Sequence, residues 1–294
     1  MKMLVIAGAV VSLLAACGTE ADRPAALAGP AFDRVQDVDG APDLIVDEKR
    51  LATSWVVYDQ DLNKQDHCSL SLVEGGVSAG VHRVLRFTVT TPNVGTADLV
   101  IGDPLTHVLA RDGLFEFAAC HGHFHFRHYA TYQLIPAGAD EGIPIRAAKR
   151  GFCMIDVTPW QTDGGVGPRR FDVCGTLGFG GNQGISVGYA DSYTKHIGGQ
   201  YFVLDGGDGQ PVVPPGDYVL RVVVNPGFVA GPEEPCPALD AATGLCHNFA
   251  ESSYSNNVGE VRITIPDRTG KTGFGPGADP QVGTEILDGD PPAR

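Results

Sequence analysis

Hydrophobic residues recur at every second position in several short stretches of the chain. Val84 to Thr91 (VLRFTVTT), Tyr218 to Val224 (YVLRVVV) and Val258 to Ile265 (VGEVRITI) alternate in this way and are rich in β-branched side chains. Side chains on a strand point to opposite faces in turn, so this period predicts strands with one buried face. Ser54 to Tyr58 and Ala97 to Ile101 are shorter candidates, and Pro214-Pro215-Gly216-Asp217 is a turn leading into the second long strand. No stretch of ten or more residues has a convincing helical period. The pattern predicts a mainly β fold, a β-sandwich-like core with long loops. Long loops on such a scaffold are where sites are usually built.

The alternation stops at both ends. MKMLVIAGAVVSLLAACG begins with a basic residue, Lys2, followed by an apolar run from Met3 to Leu14. That run is short for a membrane span and reads as an export signal. It ends in Leu14-Ala15-Ala16-Cys17, which resembles a bacterial lipobox. The resemblance implies cleavage before Cys17 and lipidation of its sulfur, giving an exported cell-envelope lipoprotein or secreted protein held at the membrane by lipid. The expected organisation is a signal peptide over 1–16, a flexible tether over 17–41, one domain over 42–266 and a disordered Gly/Pro-rich tail over 267–294.

Composition narrows the functions. The 294 residues are 43% hydrophobic and 19% charged, with 39 Gly and 21 Pro, in keeping with a turn-rich β body. A net charge of -14 argues against nucleic acid and is compatible with cationic partners such as amines or basic peptides. With Cys17 set aside, Cys68, Cys120, Cys153, Cys174, Cys236 and Cys246 remain. An even set in an oxidising compartment suggests three disulfides, with fifteen pairings open. Cys236–Cys246, across a short loop, is the easiest local bridge.

The densest chemistry lies in CHGHFHFRHYATY, Cys120 to Tyr132, which holds His121, His123, His125 and His128. Neutral His is the commonest side-chain ligand of copper and zinc. On a strand His121, His123 and His125 share a face, with His128 opposite. In a flat strand the outer two lie roughly 13 Å apart at Cα, so one ion held by all three needs a bend. Gly122 permits one. The plain alternative is a solvated polar face, and the spacing does not choose between copper and zinc.

Several motifs, in order, resemble the lysyl oxidase family. They are Pro42-Asp43-Leu44-Ile45, Cys120-His121-Gly122-His123-Phe124-His125, Lys149-Arg150-Gly151-Phe152-Cys153, Gln183-Gly184-Ile185-Ser186, Asp191-Ser192-Tyr193, Pro215-Gly216-Asp217-Tyr218 and Glu251 to Val258. The resemblance covers roughly residues 42 to 265. It implies copper on His121, His123 and His125. It also implies a lysine tyrosylquinone made from Lys149 and Tyr193, with O₂ as co-substrate. The implied reaction is oxidation of primary amines, in peptidyl lysine or small molecules, to aldehydes with release of hydrogen peroxide and ammonia. Lys195 is a competing lysine near Tyr193, and Asp191 is a candidate general base whose plainer role is turn hydrogen bonding. The resemblance pairs Cys120 with Cys174. The family's usual local partners of Cys68 and Cys153 are missing, and Cys68–Cys153 is the pairing expected in their place. The rival reading is a non-catalytic exported metal-binding or adhesion module. A zinc hydrolase ranks last, because no acidic base adjoins the histidines.

Overall fold

The computed structural model describes residues 40–62, 77–138, 145–160, 166–206, 209–231, 234–270 and 272–278. In chain order the strands are β1 Val56–Asp61, β2 Val81–Arg86, β3 Val89–Pro92, β4 Leu99–Gly102, β5 Phe115–Ala118, β6 His123–Phe126, β7 Ala130–Pro136, β8 Ile145–Arg146, β9 Thr158–Pro159, β10 Gln183–Ile185, β11 Tyr189–Tyr193, β12 Tyr201–Val203, β13 Gly216–Val224, β14 Ala238–Leu239, β15 Cys246–His247 and β16 Val258–Ile265. Among the described residues there are two short helices, α1 Glu48–Thr53 and α2 Pro104–Ala110. Asp47 and Asp103 cap them, each accepting a backbone N–H of the first turn, and Arg111 ends α2 in the left-handed conformation. No described helix is long and apolar enough to cross a membrane.

The fold is mainly β. Its strands divide among small sheets instead of two broad ones, the largest having the order β16-β13-β7-β8. Alternation in β13 and β16 does what the sequence pattern demands: Tyr218, Leu220 and Val222 go inside with Val261, Ile263 and Ile265, and their neighbours face outward. Each such buried aliphatic side chain contributes about 1.5–3 kcal/mol. The apolar run from Val84 to Thr91 is two strands rather than one. β2 joins β1 and β12, and β3 joins β11 and carries the chain into a different sheet. Between them Thr88 Oγ1 accepts Lys195 N–H at 3.0 Å.

Residues 272–278 of the expected tail are packed against the body, while 279–294 lie outside the described residues. Phe274 and Val57 exchange backbone hydrogen bonds of 2.8 Å, and the Lys195 ammonium donates to Gly277 O. The glycines that read as disorder have a packing use here. A Cβ at Gly273 would meet Val56 Cγ2 at 2.7 Å, and one at Gly275 would meet Trp55 O at 2.6 Å. Without side chains this strap lies flat along the edge of β1.

Candidate functional site

β5 and β6 form a hairpin in which Ala118 faces His123 and Glu116 faces His125. The turn between them closes with Gly122 N–H on Ala118 O at 2.7 Å, and Gly122 has φ +75°. This reversal is the bend the histidines require. It brings His121, which precedes the strand, back over it. His121 Nδ1 lies 3.3 Å from His125 Nε2, and His123 Nε2 lies 3.2 Å from the same atom. One nitrogen from each ring falls within 4.8 Å of the others. Bonds of about 2.0–2.1 Å to one ion at ordinary coordination angles put ligand nitrogens about 2.9–3.4 Å apart. Two of the three nitrogen pairs therefore already stand at the spacing of ligands on one metal ion, and the third is within 4.8 Å. His123 and His125 are buried, whereas His128 lies beyond the end of β6 and outside the cluster. Burial first, then Arg127, lowers the pKa of its imidazole against the opposing pull of Glu234.

The other half of the site pairs the short run 149–153 with Tyr193 at the end of β11. The Lys149 ammonium sits 4.8 Å from the Tyr193 ring centroid and 5.6 Å from that of Phe152. Phe152 packs edge-on against Tyr193 at 5.2 Å and also against Tyr129 and Tyr132. The Tyr193 hydroxyl donates to Cys153 O at 2.8 Å. Lys149 and Tyr193 are both buried. Between them in the sequence, Gly151 touches the metal half: a Cβ there would lie 2.6 Å from His125 Nδ1. Backbone bonds between Phe126 and Phe152 lay this run directly beside β6. Residues 149–153 thus join the histidines to the Lys–Tyr pair. Lys195 points elsewhere, to the tail strap at Gly277 O.

Asp191 is two residues before Tyr193 on β11, buried, and lines a cleft with it. Its Oδ1 accepts Ser192 N–H at 2.9 Å. Burial, and then the Asp191 charge, push the Tyr129 hydroxyl well above its ordinary pKa, so that group stays protonated. Gln183 has a role its motif alone did not disclose. Its amide donates to Phe124 O and Cys174 O, each at 2.9 Å, and accepts Met154 N–H at 3.0 Å. One buried side chain therefore holds three segments of the site together. Gly151 and Phe152 fall in a motif quoted from the sequence, but their contacts with His125 and Tyr193, like those of Tyr129, join distant segments and are not written in that motif.

The cysteine expectations divide. Cys236–Cys246 is present. Cys120–Cys174 and Cys68–Cys153 are both overturned, because Cys153 bonds to Cys174, with their Cα atoms 5.4 Å apart. The cause is the backbone: Phe124 N–H bonds to Gly175 O while Phe126 pairs with Phe152, which brings residues 174 and 153 together beside β6. Cys120 is disulfide-bonded, and its partner lies outside the described residues, as do Cys68 and Cys17.

With this geometry in view, comparison with known proteins decides the family. Residues 43–234 match the family model described as lysyl oxidase. The chain belongs to the lysyl oxidase family. It is 28% identical over 255 residues to pig "Protein-lysine 6-oxidase", covering 83% of this chain and 86% of that protein. It is 28% identical over 229 residues to zebrafish "Lysyl oxidase homolog 2A", covering 75% of this chain and 25% of the homologue. With the bovine "Lysyl oxidase homolog 4" it shares 29% over 238 residues, 78% of this chain and 26% of the homologue. It therefore spans about a quarter of the length of these larger lysyl oxidase homologues.

Proposed function

We propose that this lysyl oxidase family protein is a copper-dependent amine oxidase using a cofactor made from its own Lys149 and Tyr193. The observation that carries the reading is the 4.8 Å between the Lys149 ammonium and the Tyr193 ring. The pair comes from segments 44 residues apart in the sequence, and it puts a primary amine against the face of a phenol ring in a buried aromatic box. The balanced reaction is RCH₂NH₂ + O₂ + H₂O → RCHO + NH₃ + H₂O₂. The substrate is a primary amine, either small or the side chain of a lysine-bearing peptide or protein.

His121 Nδ1, His123 Nε2 and His125 Nε2 would hold copper. Bound copper supplies O₂ activation, and the mature quinone supplies an electrophilic carbonyl and an electron sink. The remaining steps fall to the chain. Cys153 O fixes the Tyr193 ring through its hydroxyl, and Phe152 holds the ring edge-on. Lys149 is held over the same ring, within a small side-chain movement of bonding to it. Asp191 is on the same strand face as Tyr193 and is the group we assign to take the α-proton of the bound amine. Export by the 1–16 signal and membrane attachment through lipid on Cys17 belong to the same proposal. In the non-catalytic metal-binding or adhesion reading the same contact is a structural cation–π pair that never cross-links.

Intact mass and tryptic mapping of protein expressed with copper and air test this reading. The expected product is a covalent Lys149–Tyr193 peptide with an oxidised ring. Copper bound in full with no such peptide would sink the proposal.

A further inference from the structure

One loop runs from Tyr193 to the backbone of Lys149. It leaves β11 at Tyr193 and turns twice, with Ile197 N–H on Thr194 O at 3.0 Å and Gln200 N–H on Ile197 O at 3.2 Å. It ends beside the other partner. A Cβ on Gly199 would touch Lys149 Cα at 3.6 Å, and Tyr201 O accepts Ala148 N–H at 2.9 Å. The course of this loop therefore helps set where the Lys149 ammonium stands over the Tyr193 ring. Its main anchor is Lys195. Thr88 Oγ1 accepts Lys195 N–H at 3.0 Å, and Arg86 Nη1 donates to Lys195 O at 3.0 Å and to Ile197 O at 2.9 Å. The Lys195 ammonium donates to Gly277 O in the strap of residues 272–278. The strap is itself fixed to β1 and the residue before it, through Phe274 and Val57 and through Gly277 N–H on Trp55 O at 2.9 Å. Beyond it, Ala278 packs on the hydrophobic cluster that contains Ala148 and Tyr201. One strap thus meets the loop near its start and again near its end.

We infer that residues 272–278 are a brace for cofactor formation, and that Lys195 is a positioning residue acting through it. The inference deepens the amine-oxidase reading and rests on it for the chemical step. In that step the Lys149 amine adds to the oxidised Tyr193 ring. A C–N bond forms, one N–H and one ring C–H hydrogen leave, and the two electrons pass with them to O₂ to give hydrogen peroxide. The two groups must meet in one geometry, and an error of about 1 Å can cost about 100-fold in rate. An ammonium on a backbone carbonyl is a charge-assisted bond, stronger than a neutral one, so it holds the loop more firmly than its backbone bonds alone. A segment that only covered the edge of β1 would need no more than its bonds to Val57 and Trp55. This one also reaches Lys195 on one side and the Ala148 cluster on the other. The lysine that rivals Lys149 in the sequence thus serves it in the fold. None of the anchors is a copper ligand.

The test uses the full chain purified without copper and then given copper and air, with the Lys149–Tyr193 peptide followed over time by mass mapping. Lys195→Met cuts the tie alone. Gly275→Val displaces the strap, because a Cβ there would lie 2.6 Å from Trp55 O. At a temperature where every variant stays folded, both should slow the cross-link at least about tenfold and leave copper affinity within a factor of about two. Lys195→Arg, which can still donate to Gly277 O, should recover most of the rate. A second readout needs neither copper nor turnover. The Lys149 ε-methylene resonances of copper-free protein, moved upfield by the aromatic faces beside them, should shift toward ordinary lysine values in Lys195→Met and Gly275→Val. Unchanged rates and unchanged Lys149 resonances in both variants overturn the brace. So does slowing matched by an equal loss of copper affinity, which marks a general loosening. A Tyr193 peptide bonded to Lys195 overturns it too, by making the strap a guard against the wrong lysine. Shifted Lys149 resonances in the variants, with no cross-link even in the wild type, leave the brace standing and overturn the amine-oxidase reading.

Discussion

Two clusters of buried polar groups differ in how they are satisfied. Around Glu251 every hydrogen bond is a complement, although the Asp43 carboxylate nearby repels it. Its carboxylate accepts Leu44 N–H at 2.6 Å, Asn225 Nδ2 at 2.8 Å and Asn257 Nδ2 at 2.7 Å. These bonds tie the start of the domain to the turn before β16 and to the end of β13. Around His125, by contrast, like meets like: His121 Nδ1 and His123 Nε2 approach His125 Nε2 at 3.3 and 3.2 Å. Two ring nitrogens that close need a proton or a cation between them. Complementary donors and acceptors make a structural tie. Converging acceptors make a place for something that arrives later.

Substitutions can break this contrast in a graded order. The largest effect is all-or-none: Lys149→Ala or Tyr193→Phe should remove the cross-linked peptide entirely from mass maps, with Tyr193→Phe costing about 1–3 kcal/mol in stability for the orphaned Cys153 carbonyl. Next, His125→Ala should weaken copper binding by more than the roughly 10–100-fold typical of changes outside the ligand shell, measured by competition with a chelator. Glu251→Ala should do the reverse. It should leave copper affinity within a factor of about two, because no copper ligand touches it, and cost on the order of 3 kcal/mol in chemical denaturation, because three buried donors lose their acceptor.

The two clusters should also separate by pH. Burial pushes the Glu251 carboxyl up to about 7, against the pull of its three donors. The folded chain therefore holds this proton more tightly than the unfolded chain does. The resulting stabilisation is complete below the ordinary carboxyl value of 4.5 and is lost as pH rises through about 7. It amounts to an upper limit on the order of 3 kcal/mol. Wild-type urea midpoints should fall between pH 4.5 and 7.5, and Glu251→Gln should flatten that fall. The smallest predicted effect is at Gly151. Its φ is not positive, so alanine costs no backbone strain, but the new methyl meets the His125 ring. Gly151→Ala should lower the melting temperature of the copper-free protein, by an overpacking cost of about 1–3 kcal/mol, and reduce the further gain on adding copper.

Legibility in the sequence followed the range of the interactions. β13 and β16 were readable because alternation is local, and so was the bend at Gly122, because three histidines on one strand cannot otherwise meet. The Lys149–Tyr193 pairing came from motif resemblance, and the short distance between them accords with it. Contacts made across the chain left no local trace. The cysteine pairing depended on which loops flank β6, and Gly151 stood in a quoted motif without any sign of its contact with His125. In the tail, glycine had two meanings that composition does not separate, freedom in solution and close approach to an edge strand.

The Cys153–Cys174 bond has a consequence for how the protein is made. Cys153 also supplies the carbonyl that holds the Tyr193 hydroxyl, and Cys174 precedes the glycine whose carbonyl binds β6. The bond therefore spans the tyrosine and metal halves of the site. A chain folded in a reducing cytoplasm lacks that tie before any metal is offered. Preparations from oxidising and reducing hosts should differ in how much cofactor matures, with the same sequence and the same copper.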